Sequence, residues 1–321
     1  MPSGPTASVA VAGKTRTLEE SLSSVIRGNP DAVRLTLVCL LARGHLLIED
    51  VPGVGKTTLA HALARSLDCE FHRLQFTSDM LPSDVLGATI FSASREEFEF
   101  KPGPIFTNVL LADEINRTTP KTQSALLEAM NERQVTIEGR THALPEPFMV
   151  IATQNPVEYH GTYPLPESQL DRFLMRIHMG YPDAVSEREI LRSSGNGAAI
   201  SAITPVASGA DIVELQRLVH EVRVEEAVMD YLLAIVERTR GHEHLALGIS
   251  PRGSIALYRA AQALALVEGL DYCTPHHVKR LVIPVFAHRM TPSDRYGGRN
   301  GPADRCAEIL DEILHAVPVP L

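Results

Sequence analysis

The stretch HLLIEDVPGVGKTTLAHALARSL, residues 45–67, decides the fold. His45 to Glu49 reads as a short apolar strand. Lys56 to Leu67 reads as a helix, because Leu59, Leu63 and Leu67 fall on one helical face. Between them runs DVPGVGKT, Asp50 to Thr57. Backbone N–H groups of such a loop wrap phosphates, and the helix N-terminus adds a favourable partial charge. Gly53 and Gly55 let the backbone turn and approach, Lys56 is placed to meet the β- and γ-phosphates, and Thr57 to hold Mg²⁺. The expected binding set is Asp50, Val51, Pro52, Gly53, Val54, Gly55, Lys56, Thr57 and Thr58. Asp50 stands where the common pattern begins with Gly. The strand–loop–helix setting separates this loop from an ordinary Gly-rich turn. A second GKT, Gly13-Lys14-Thr15, lacks both a strand before it and an apolar helix after it, and reads as coincidence.

Working outward, VLLADE (Val109 to Glu114) sets two carboxylates just after an apolar strand. Strand C-terminal ends face the ligand crevice of a doubly wound sheet, so both acids point at the metal–phosphate end. Asp113 then suits the Mg²⁺ shell, and Glu114 suits the positioning or deprotonation of an attacking water. The expected ligands are ATP and Mg²⁺. Phe148 to Asn155 repeats the pattern, an apolar strand ending in an amide. Asn155 there either bonds the γ-phosphate or the water, or simply forms a turn with Pro156.

The rest of the chain supplies the frame. Arg16 to Leu41 reads as helices broken at Gly28-Asn29-Pro30. Thr119 to Asn131 reads as a helix, Arg133 to Leu144 as a hairpin turning at Gly139, and Phe173 to Met179 as a further strand. Alternating strands and helices predict a parallel sheet with helices on both faces. The composition changes near residue 193, at Ser193-Ser194-Gly195-Asn196-Gly197. Beyond it strands disappear, and Leu215–Val222, Val228–Arg238, Ser254–Val267 and Pro275–His288 show helical spacing. The expected division is a disordered tail over 1–15, an αβα nucleotide domain over 16–193 and a smaller all-α domain over 194–321.

Across 321 residues, acids outnumber bases 39 to 30, which disfavours a broad polyanion-binding surface. The four cysteines form no CxxC pair, and Cys39, inside an apolar run, reads as a buried thiol in a reducing compartment. No stretch approaches the ~20 apolar residues that span a bilayer. The N-terminus lacks a signal-peptide pattern, so the expected location is cytoplasmic. His242/His244 and His276/His277 have no partner at zinc-like spacing. No GxSxG string marks a nucleophile. Lys279, Arg280 and Arg289 read as a solvated basic cluster.

Taken in order, EDVPGVGKT, FKPGPIF (Phe100 to Phe106), LLADEINR (Leu110 to Arg117), LLEAMNERQVTIEG (Leu126 to Gly139), IATQNP (Ile151 to Pro156), LPESQLDRF (Leu165 to Phe173), SPRG (Ser250 to Gly253) and HHVKRLVIPVFAHR (His276 to Arg289) resemble the AAA+ ATPases, and within them the MoxR family. The resemblance spans nearly the whole chain, and in these relatives the position of Asp50 is likewise acidic. It implies an AAA+ αβα sandwich followed by a helical lid. It further implies that Asn155 is a sensor of the γ-phosphate, that Arg252 is a lid arginine reaching that phosphate, and that Arg172 is an arginine finger offered to a neighbouring subunit. Arg117 is a weaker candidate for an interface contact. Residue spacing alone would make Arg172 and Arg252 ordinary salt-bridge partners. An insert near Ser92 to Pro104 and the hairpin at Arg133 to Leu144 would face a ring's axial channel.

What the resemblance implies for function is a ring, expected as a hexamer, whose ATP hydrolysis remodels or activates a protein partner. Partners of such proteins often bear a von Willebrand factor A domain, and the work is sometimes metal or cofactor insertion. A metal-chelatase-like motor subunit is the nearest alternative. A nucleic-acid translocase or transcription activator is disfavoured by the acidic balance and by the hairpin's lack of aromatics. A scaffold that binds ATP without turnover is disfavoured by the presence of Asp113, Glu114 and Arg172.

Overall fold

A computed structural model describes residues 5–155, 162–192, 200–293 and 302–320. Its centre is a five-stranded parallel sheet in the order β2-β5-β8-β1-β9, formed by β1 (Leu46–Glu49), β2 (Phe71–Gln75), β5 (Val109–Asp113), β8 (Met149–Gln154) and β9 (Met175–Ile177). Parallel neighbours need crossovers, and α3 (Lys56–Ser66) and α5 (Pro120–Glu132) supply two of them. Both sheet faces are covered, so β1, β5 and β8 are apolar on both sides. Leu46, Ile48, Val109, Leu111, Met149 and Ile151 enter one core. Leu47, Leu110, Ala112, Val150 and Ala152 enter the other, as a period of two dictates.

The second core packs the sheet on α5, α4 (Pro82–Leu86) and one of two hairpins, the one that carries Val135 and Ile137. One hairpin is β3 (Gly87–Ser92) with β4 (Glu97–Pro102), the other β6 (Gln134–Ile137) with β7 (Arg140–Ala143). The β6–β7 turn falls at Glu138 and Gly139, both left-handed at φ 49° and 78°, as the two-residue hairpin turn requires. The insert expected from Ser92 begins five residues earlier, at Gly87, because the strand GATIFS already belongs to it.

The first core continues without a break from α1 (Pro5–Ser23), α2 (Pro30–Leu41) and α3 into the second half of the chain. There, past the one-turn α6 (Glu167–Leu170), α7 (Ala184–Arg192) is followed by α8 (Gly209–Val219), α9 (Glu226–Arg240), α10 (Pro251–Val267), α11 (Pro275–Phe286) and α12 (Pro302–Ala316). Ser208 and Ser250 cap α8 and α10 by accepting the N–H of Asp211 and Gly253. This part is not wholly helical. A short antiparallel pair, β10 (Leu245–Leu247) with β11 (Thr291–Pro292), closes the region between α9 and α12; three and two residues are too few to leave a periodic trace.

Two further expectations change. The disordered tail placed over 1–15 is helical from Pro5, where Pro is tolerated in a first turn and Ala-rich sequence favours a helix. Thr15 is buried, its hydroxyl 3.3 Å from the Val267 carbonyl oxygen, and Lys14 pairs with Asp211. The second GKT therefore lies inside α1 and forms no loop. Strand β2 was not legible: its residues are only partly covered, so FHRLQ carries little apolar signal. The expected linker at Ser193 to Gly197 lies outside the described residues.

Candidate active site

Three strands deliver the site residues to one end of the sheet. Asp50 leaves β1, Asp113 closes β5 with Glu114 next, and Asn155 follows β8 and is buried. Gly53 and Gly55 take φ of 89° and 97°, so their N–H groups can turn toward one point before α3 begins. Nothing lies within 4 Å of the position a Cβ would take on Gly53, which leaves the loop's mouth open for a phosphate chain. The Lys56 ammonium turns back on the loop, 2.7 Å from the Asp50 carbonyl and 3.3 Å from that of Val51. Burial lowers its pKa, and Asp50, Asp113 and Glu114 pull the other way.

The Asp50 carboxylate faces away from that mouth. One oxygen accepts the N–H of Met179 at 2.6 Å and of Gly180 at 2.7 Å, and the other accepts that of Val51 at 3.0 Å. Its departure from Gly thus has a structural use, clasping the loop to the chain beyond β9. Thr57 and Thr58 sit in the first turn of α3, with Thr58 buried.

Asp113 and Glu114 are knitted together through Thr153. Its hydroxyl donates to Asp113 Oδ1 at 2.6 Å and accepts the Glu114 N–H at 2.9 Å. Arg73 grips the other Asp113 oxygen with Nη2 at 2.6 Å and Nε at 3.2 Å. Gln75 donates to Glu114 Oε2 at 2.7 Å, and Arg117 Nε lies 2.9 Å from the same atom. Arg117 is therefore engaged within its own chain. Glu114 has φ 58°, a left-handed backbone unusual for a side chain of its size and frequent where function over-determines geometry.

Arg73 and Gln75 were missed with their strand. The one available signal was the need for a strand after α3, since a parallel sheet cannot proceed without it. Also missed was a cavity of about 90 Å³ beside the loop, whose lining includes Val25, Ile26, Gly53, Val54, Met179 and Pro182. Its lining is mixed, because Arg27, Asn29 and Thr58 join the apolar side chains.

The expected arginines gather elsewhere. Arg172 precedes β9, so it lies at the N-terminal end of the sheet, as do Gly44 and His45 before β1. The advance from His45 to Asp50 covers about 16 Å at roughly 3.3 Å per residue. A pocket of about 260 Å³ at this far end is lined by Arg43, Arg133, Arg172, Arg252, Arg259 and Arg289, with Asp171 among them. Arg252 Nη2 donates to Asn131 Oδ1 at 2.6 Å, and its Nε is 3.5 Å from Asp171 Oδ2. Arg252 was expected at the γ-phosphate. Within its own chain it is at the opposite end from the loop, beside Arg172. Nor is Arg289 solvated as its basic neighbours suggested, since only 4% of its side chain is exposed.

A parallel sheet with a phosphate-type loop after β1, paired acids after β5, a buried Asn after β8 and a helical second part defines a P-loop ATPase of the AAA+ class. The pattern of the ATPase family associated with various cellular activities (AAA) matches residues 45–175, and that of the AAA lid domain matches residues 237–312. Chaperone MoxR1 of Mycobacterium tuberculosis is 43% identical over 89% of this chain and 78% of its own length. Protein MoxR of Methylorubrum extorquens is 30% identical over 94% of each, and the protein YeaC of Bacillus subtilis is 50% identical over 94% of this chain and 93% of its own. A crystal structure of a Cytophaga hutchinsonii protein, described as a candidate ATPase, superposes with a TM-score of 0.90 at 36% identity, covering 98% of this chain and 97% of that one. The chain belongs to the MoxR family of AAA+ ATPases.

Proposed function

We propose that this chain hydrolyses ATP in a ring of identical subunits, expected as six, and uses the turnover to remodel or activate a protein partner. The observation that carries this reading is the division of the machinery between two ends of one sheet. Lys56, Asp113, Glu114 and Asn155 share the loop end, while Arg172 and Arg252 share the other. Arginines that stabilise a transferring phosphoryl cannot serve the loop of their own chain from there. They can serve a neighbour's, which makes the site a joint product of two copies.

Within the site, the loop N–H groups and Lys56 bind the phosphates, Asn155 orients the γ-phosphate or the water, and Thr57 and Asp113 would hold Mg²⁺, Asp113 through a carboxylate now shared by Thr153 and Arg73. Mg²⁺, when bound, neutralises charge on the β- and γ-phosphates. Glu114 takes the water's proton, with its Oε2 held by Gln75 and Arg117. Arg172 and Arg252 of the next subunit meet the developing charge. The work on a protein client draws on the relative named as a chaperone. A von Willebrand factor A domain partner, with metal or cofactor insertion as its outcome, is the client class that this family reading favours. A reducing, cytoplasmic setting agrees with four free cysteines, three of them buried. Among the described residues no helix is long and apolar enough to cross a membrane.

Two substitutions test the reading. Lys56→Ala should abolish binding of a fluorescent ATP analogue while the melting temperature holds, since the ammonium caps only loop carbonyls. Glu114→Gln should bind the analogue normally and lose roughly 10²–10⁴ in hydrolysis rate, the usual worth of a positioned base. Unchanged affinity in the first variant, or parental turnover in the second, removes the corresponding assignment.

A further inference from the structure

Arg289 is buried where the second part of the chain meets the sheet, on the one-turn 3₁₀ helix (Ala287–Arg289) that follows α11. Its Nε donates to Asp171 Oδ1 at 2.9 Å. Nη2 donates to the carbonyls of Phe173 at 2.6 Å and Asp171 at 3.3 Å. Nη1 donates to the Leu174 carbonyl at 3.0 Å and to that of Val285. All five N–H donors of the guanidinium are thereby directed at acceptors, four of them on residues 171–174. His288 adds a contact from Nε2 to the Phe173 carbonyl at 3.0 Å. The one residue of that segment that Arg289 does not hold is Arg172, whose side chain lines the pocket. The second Asp171 oxygen faces Arg252.

A guanidinium spent this way pins the backbone on both sides of Arg172 and holds the Asp171 carboxylate whose other oxygen faces Arg252. Burial draws the Arg289 pKa down to about 10, with Asp171 raising it, so the group stays charged at neutral pH.

We propose that Arg289, acting through Asp171, is a positioning residue for the arginine pair that completes a neighbour's site. The inference rests on the shared-site reading above. Lid and finger then move as one piece, and a shift of the lid withdraws Arg172 and Arg252 together.

The test uses the 321-residue chain with Arg289→Lys, which keeps the charge and loses the fork, and with Asp171→Asn, which keeps the shape. Asp171→Asn is the milder change and carries the same test if Arg289→Lys does not fold. Each is assayed alone and mixed with Lys56→Ala chains, with Arg172→Ala as control and subunit exchange confirmed by tag co-purification. Expected alone are parental affinity for a fluorescent ATP analogue and a kcat at least tenfold lower, with little change in KM. Expected on mixing is partial recovery, because Lys56→Ala chains bring an intact arginine pair to the variant's loop. Parental kcat in both variants overturns the proposal. So does recovery for Arg172→Ala without recovery for the other two. If exchanged rings recover for none of the three, the shared site itself is wrong and the proposal falls with it.

Discussion

His45 shows how much one buried ring can govern. At the mouth of β1 its Nδ1 accepts the Val150 N–H and its Nε2 donates to the Met130 carbonyl, both at 3.0 Å. Burial depresses its pKa to about 4, against an unfolded value near 6.5. The folded state thus holds the ring neutral while the unfolded chain takes up a proton. Stability from this source is complete above about pH 6.5 and falls as pH drops toward 4, at about 1.4 kcal/mol per pH unit. His288, also buried, shifts in the same direction. Urea unfolding of the parent and of His45→Gln should therefore diverge in slope between pH 7 and 4.5, the parent losing more. Parallel losses would remove His45 from the account. Nothing in the sequence marked His45 beyond its place before an apolar strand. Its role depends on Met130 and Val150, which only the fold brings near.

Among the elements, the two hairpins present glycines that act differently. Gly87 has φ 94°, and a Cβ there would stand 2.2 Å from the Lys101 carbonyl oxygen and 2.6 Å from Gly103 N. Gly139 has φ 78° with nothing within 4 Å. Gly139→Ala should cost about 1–2 kcal/mol, the left-handed penalty alone. Gly87→Ala should cost clearly more, because backbone must move, and should free the β3–β4 hairpin for proteolysis before the rest unfolds. Equal costs from chemical denaturation would contradict the steric reading. Elements proved legible where burial was two-sided: β1, β5 and β8 are continuous apolar runs, and α3, α5 and α10 carry clear helical stripes. Legibility failed at the edge strand β2, at the short pair β10–β11 and at the start of β3. At these places partial exposure or brevity erases the periodic signal that sequence reading depends on.

For the whole molecule, loop chemistry was readable because DVPGVGKT and VLLADE each carry their mechanism locally. The arginine pair was not, because the direction in which Arg172 and Arg252 act depends on which end of the sheet they occupy. Residue 252 reaches residue 171 only through the packing of α10 against α2 and α11. The net charge of −9 also acts at this scale. The arginine-lined pocket measures about 260 Å³, and the acidic balance of the chain around it disfavours a broad polyanion surface. Adding single- or double-stranded DNA at physiological salt should leave ATPase activity unchanged. A several-fold, length-dependent stimulation would move the protein to the translocase class.

The Asp50 clasp bears on how the chain should be altered. Its carboxylate holds Met179 and Gly180, the stretch through which the backbone leaves the sheet for α7 and the helices beyond. Engineers who revise sequences toward the commonest spelling of a motif would write glycine at this position. Here that edit draws out a pin: the N–H groups of Val51, Met179 and Gly180 would lose the acceptor that ties the loop to the chain beyond β9.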